Sequence, residues 1–138
     1  MGAHDDPHQY RRAGLGSATA FYTSVLGLTV GRRLGGVAVE LIGASSPVYL
    51  LLKNPGSASS SSSGDRRRYE RHWTPVHLDF AVPDLDAAVE RAIAAGATQD
   101  DPVQSHAWGR IAHMADPFGH GFCLIAFSER GYDAIADG

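Results

Sequence analysis

VHLDFAVPDLDAAVERAIAAGA, residues 76–97, decides the fold. Its first seven residues alternate. Val76, Leu78, Phe80 and Val82 share one face; His77, Asp79 and Ala81 share the other. Pro83 ends the strand and Asp84 is placed as an N-cap. The helix that follows carries an apolar stripe of Leu85, Ala88, Val89, Ala92 and Ile93. Gly96 closes it as the residue past the C-cap. The helix-packing face of the strand is thus apolar, and its opposite face presents His77 and Asp79.

Working outward, a weak strand is expected near Pro102–His106. Gly109–Ala115 and Gly121–Phe127 follow as two strands joined by Asp116-Pro117-Phe118-Gly119. Asp at the first position, Pro at the second and Gly at the fourth fit a type I turn. On the second of these strands Phe122, Leu124 and Ala126 alternate with Cys123, Ile125 and Phe127.

The N-terminal half repeats this order. SATAFYTSVLG reads as a helix capped by Ser17 and closed by Gly27, with Ala18, Phe21, Tyr22, Val25 and Leu26 on its stripe. TVGRRL, VAVELIG and VYLLLK follow as strand candidates. Gly27 and Gly96 are 69 residues apart, and the two helices superpose on that offset. The chain therefore reads as α+β, a duplicated β-α-β-β-β unit. The copies are residues 1–53 and 73–128, with a linker at 54–72 and a tail at 129–138. NPGSASSSSSG (54–64) is low-complexity and should be flexible. The weak point is residues 7–13, PHQYRRA, where the first strand of copy one should lie. Arginines and a proline make this strand either degraded or an exposed edge.

Composition excludes several classes. A formal net charge of −3 gives no general basic field for nucleic acid, and Arg66, Arg67 and Arg68 read as a solvated run. No apolar run approaches the roughly 18 residues that span a bilayer. The single cysteine excludes an internal disulfide. MGAHDDPHQYRR has no apolar leader core, so no membrane partner and a cytoplasmic location are expected.

Three pieces resemble the vicinal oxygen chelate superfamily of glyoxalases, bleomycin-resistance proteins and extradiol dioxygenases. They are FYTSVLGL, the opening stretch above, and WGRIAHMADPFGHGFCLIAF (108–127). The wording is most similar to glyoxalase-like domains. The resemblance implies two βαβββ modules curled around a concave cavity, frequent homodimers and, in metal-using members, one His from each first strand with one Glu from each last strand. Carried over, His77 stands at the second His position. The Gly offset puts the first at His8, and the FY signature puts it nearer Pro7. The first acid falls among Leu50, Leu51 and Leu52, and the second falls on Cys123. Glu40 lies on the preceding strand and is not equivalent.

Both acids being absent, the expectation is no cofactor and no complete metal site. The alternative is a divalent ion held by His8, His77 and Cys123, a set suited to zinc. The favoured function is binding of a small organic ligand by a cavity lined by His77, Asp79, Trp108, His113, Cys123 and Ile125. The alternative is a lyase, isomerase or dioxygenase-type enzyme working through a reduced metal site or through acid–base chemistry of His77 and Asp79. Asp79 is otherwise a rim carboxylate met by Arg110 or water. Trp73 and Tyr69 flank the linker and could cover an opening. Cys123 is otherwise a small buried hydrophobe.

Overall fold

The computed structural model describes the backbone of residues 7–138 except Ser63, and side chains from Gly14 onward. The chain divides between Arg68 and Tyr69 into two compact units, a boundary inside the expected linker.

Unit one consists of α1 (Pro7–Leu26), β1 (Thr29–Leu34), β2 (Ala38–Ile42) and β3 (Val48–Leu51). The three strands form an antiparallel sheet in chain order. Val39 opposite Leu50, and Leu41 opposite Val48, turn one face toward α1. There they join Leu15 and Leu28, with Tyr22, Leu26 and Val30 packed around them.

The start of this unit corrects the sequence reading. Residues 7–13 form neither a degraded nor an edge strand; they continue α1. Ser17, expected as the N-cap, lies mid-helix. Gly14 and Gly16 flank Leu15, which is buried in the core and whose carbonyl accepts the Thr19 hydroxyl at 2.8 Å. Burial of that turn outweighs the propensity cost of two glycines, about 1 kcal/mol each relative to alanine. Pro7 at the first helical position costs little, because its missing N–H would be unpaired there anyway. The side chain of His8 lies outside the described residues.

On the other face of this sheet, Glu40 is a structural pin. Its carboxylate accepts the Tyr49 hydroxyl at 2.7 Å and the Arg32 backbone N–H at 3.2 Å. The Tyr49 hydroxyl, helped by that amide, holds the acid below its ordinary range. The sheet approaches it closely: a Cβ on Gly31 would come 2.6 Å from Glu40 Oε1.

The linker is more ordered than its composition suggests. Gly56 N–H donates to Arg67 at 2.8 Å, Arg67 N–H to Ser57 at 2.8 Å and Ser59 N–H to Asp65 at 2.9 Å. These bonds fold residues 56–67 back on themselves.

Unit two contains β4 (Leu78–Ala81), α2 (Leu85–Ala94), β5 (Thr98–Gln99), β6 (Gln104–His106), β7 (Gly109–Ala115), β8 (Gly121–Phe127) and a short 3₁₀ turn (Gly131–Ala134). The sheet order is β4-β8-β7-β5, with β6 also on β7. β4 runs parallel to β8, and the remaining pairs are antiparallel. Asp84 caps α2 by accepting from Ala87 N–H at 3.1 Å. Leu85, Ala88, Val89 and Ala92 are buried with Ala112, Met114, Phe122 and Leu124. Three residues assigned to the packing face stay exposed. Val76 and Leu78 lie at the outer edge of the sheet, and Ile93 lies at the margin of the helix stripe.

The predicted turn forms between β7 and β8. The buried Asp116 carboxylate accepts from the backbone N–H of Phe118 at 2.8 Å and of His120 at 2.9 Å, and it meets His120 Nδ1 at 2.9 Å. Gly119 sits at φ +97°, and a Cβ there would come 2.2 Å from the Tyr69 carbonyl oxygen.

Candidate functional site

The parallel register of β4 on β8 sets Asp79 opposite Cys123. The antiparallel register of β8 on β7 sets His113 opposite Cys123 from the other side. Three strands thus carry Asp79, Cys123 and His113 in one row on the face away from α2. One step along that face, Ile125 pairs with Ala81 and Ile111. His77 immediately precedes β4, and its Nε2 stands 3.3 Å from Asp79 Oδ1. Ligand-type atoms of His77, Asp79 and Cys123 all lie within 4.8 Å of one another.

Burial divides the row. Cys123 and Ile125 are buried, whereas His77 and Asp79 are 37% and 40% exposed. Burial, followed by the hydrogen bond to Asp79 and the charge of that carboxylate, pushes the Cys123 thiol up to about 12. At neutral pH it is a protonated thiol, which fits a packed hydrophobe better than a nucleophile. Alkylation of the native protein at pH 7.5 should therefore run at least about 100-fold slower than in denaturant. Comparable rates in timed iodoacetamide labelling would show a reactive cysteine. Among the described residues His113 Nδ1 is buried without a hydrogen-bond partner, and a carboxylate oxygen of Asp101 is 3.9 Å away.

Trp73 forms a wall beside the row. Its ring lies edge-on to His77 at 5.2 Å and to His113 at 6.1 Å between centroids. It lies over Gly121, where a Cβ would come 2.6 Å from the indole. Its Nε1–H donates to Asp100 at 2.9 Å, and Arg71 pairs with the same carboxylate oxygen. The Arg71 guanidinium stands 5.1 Å from the centre of the indole. The sequence placed Trp73 near an opening but gave no sign of this clamp. Asp100 lies 27 residues away on a loop, with no local pattern to mark it.

Two other assignments change. Arg110 forks onto Asp86, at 3.0 and 3.2 Å, and leaves Asp79 to His77 and Cys123. Trp108 belongs to a separate aromatic cluster at the far end of β8. It stacks on His106 at 5.3 Å and meets Tyr132 at 5.1 Å and Phe127 at 6.3 Å. His120, more than half exposed, is held at the turn by Asp116.

A model of the glyoxalase-like domain matches residues 10–125. The chain belongs to the glyoxalase-like domain family. It is 33% identical over 125 residues to the anthracycline biosynthesis protein DnrV of Streptomyces peucetius, covering 91% of this chain and 42% of DnrV. DauV of Streptomyces sp. (strain C5), also an anthracycline biosynthesis protein, is 33% identical over 128 residues, 90% of this chain and 41% of DauV. The glyoxalase-like chain thus spans less than half the length of these curated relatives. Among solved structures, a glyoxalase/bleomycin resistance protein/dioxygenase family enzyme from Burkholderia phytofirmans PsJN matches at a TM-score of 0.61 and 21% identity. That match covers 83% of this chain and 91% of the other. The fosfomycin resistance protein FosX from Listeria monocytogenes matches at 0.61 and 20%, covering 84% and 86%. At these identities the likeness is one of fold, that of the vicinal oxygen chelate superfamily.

The His/Glu metal set that the superfamily implies does not fit the described residues of this glyoxalase-like chain. β3 (Val48–Leu51) carries no carboxylate, and neither does β8 (Gly121–Phe127), where Cys123 is the one metal-donor side chain.

Proposed function

We propose that this glyoxalase-like chain binds a small organic ligand over the Asp79–Cys123–His113 row, without the superfamily's His/Glu metal centre. The observation that carries the reading is the clamped Trp73 standing beside His77 and His113. A fixed aromatic wall gives a ligand apolar contact at little entropic cost, and a few convergent polar groups then set its orientation. His77, Asp79 and His113 supply those groups, and Ile125 extends the same face. The names of DnrV and FosX, which speak of anthracycline biosynthesis and fosfomycin resistance, support small organic molecules as the ligand class.

Trp108→Phe leaves Trp73 as the only indole, so its fluorescence reports on this face. Titration of that variant with anthracyclines, fosfomycin, bleomycin and a panel of aromatic metabolites should give a saturable change with at least one compound. His77→Ala should weaken the response at least about tenfold, the cost of a lost buried hydrogen bond. No saturable response across the panel would count against a binding face here. The 3.3 Å approach of His77 to Asp79 favours a second reading, acid–base catalysis on the bound molecule. In that case the compound that binds is also converted, and Asp79→Asn stops conversion while leaving binding within about tenfold.

A further inference from the structure

We infer that His77, Asp79 and Cys123 form a three-donor site for a thiophilic divalent cation of the zinc class, held entirely within the second unit. By sequence Asp79 is a candidate base, and His8 is the third donor beside His77 and Cys123. The fold supplies Asp79 in that place instead. Imidazole nitrogen, carboxylate oxygen and thiolate sulfur are all zinc donors, and three protein donors with one open corner is the usual form of a reactive zinc site.

Distances support the assignment. Donors bound to one tetrahedral zinc at about 2.0–2.3 Å stand about 3.3–3.6 Å apart. His77 Nε2 and Asp79 Oδ1 are already 3.3 Å apart. All three donor atoms lie within 4.8 Å of one another, so closure on an ion needs at most about 1.5 Å of further approach. Rotation of the half-exposed His77 and Asp79 side chains supplies that movement, while Cys123 stays fixed in β8. Among the described residues this is the one place where three such donors converge.

The sulfur also sets the ion class. Thiolate favours zinc and cadmium, whereas carboxylate-rich sets suit magnesium and manganese. The substitution of sulfur for the superfamily's acid therefore redirects the site toward a softer ion. Metal binding displaces the thiol proton, and the charge of the ion reverses the local bias that keeps the thiol protonated. The inference goes beyond the ligand-binding proposal and stands without it.

The test uses the full chain, freed of metal by chelator dialysis, with fluorescence titrations of organic ligands run separately on that metal-free protein. Zinc and cadmium should each bind at one per chain by equilibrium dialysis and elemental analysis. Cadmium should add an ultraviolet thiolate-to-metal charge-transfer band. Manganese and magnesium should bind at least about 100-fold more weakly, as the donor set requires. His77→Gln and Asp79→Asn sit at half-exposed positions and should keep the wild-type circular dichroism and melting curve. Each should weaken zinc by about 10- to 100-fold. Cys123→Ser should abolish the charge-transfer band. The inference is overturned if zinc fails to reach one per chain, if manganese binds as tightly, or if His77→Gln and Asp79→Asn bind zinc like wild type. That last result would mark adventitious capture by a thiol alone.

Discussion

Leu124→Ala is expected to lower the unfolding free energy by about 3–4 kcal/mol, within the range for fully buried leucines. Leu124 has no exposed surface. It is paired with Ala112 on β7 and Phe80 on β4, in the centre of the sheet face covered by α2. None of those three strands can move to fill the space without breaking its ladder. The cost therefore includes both the lost transfer energy of the side chain and the cavity left behind. Against a typical total of about 5–15 kcal/mol, the loss removes a large share of the stability. Urea unfolding followed by circular dichroism measures it. Leu124→Met, which keeps the volume, should cost less than about 1.5 kcal/mol. An alanine cost below about 1 kcal/mol would mean that α2 does not enclose this face.

Asp116→Ala is the second large effect, expected at about 2–3 kcal/mol. The side chain is fully buried and accepts three hydrogen bonds, from Phe118 N–H, His120 N–H and His120 Nδ1. Alanine would leave two turn amides without an acceptor, at about 1–3 kcal/mol for each buried donor. The His120 ring contributes much less, because it is 56% exposed and solvent screens its ion pair to at most about 1 kcal/mol. Its pH dependence is nevertheless readable. The hydrogen bond that the ring donates to the Asp116 carboxylate raises the His120 pKa, against a smaller opposing effect of burial. Folding therefore favours the protonated ring. The contribution is complete below the ordinary histidine value of about 6.5 and is lost as pH rises through the raised folded value. His120→Gln should flatten that part of the stability curve measured from pH 5 to 8. If the slope is unchanged in His120→Gln, the turn ion pair is not its source.

Elements whose signals are local were legible in the sequence. Asp84 caps α2 because its side chain reaches an N–H three residues on. The β7–β8 turn follows from Asp116, Pro117 and Gly119 within four residues. Strand alternation put Asp79 on the face away from α2, and the family pattern put Cys123 and Ile125 on that face too. Features that depend on distant partners were not legible. α1 runs through Gly14 and Gly16 because Leu15 finds a core, which propensity does not record. Val76 and Leu78 alternate like core residues but fall at an edge where nothing in their own sheet covers them. The sequence left Arg110 or water open as rim partners of Asp79, and Arg110 instead pairs with Asp86.

The sequence by itself determined the family, the helix and three strands of the first copy, and the strand, helix and closing hairpin of the second, with Cys123 in that hairpin. Those facts rest on residue type and spacing, which short-range sterics and hydrogen bonding convert directly into strands, caps and turns. Only the tertiary structure decided that Asp79 stands opposite Cys123, that His77 closes to 3.3 Å of it, and that Arg71 and Asp100 fix Trp73 beside them. Strand register and long-range ion pairs are set by which elements pack together, and no local pattern carries that information.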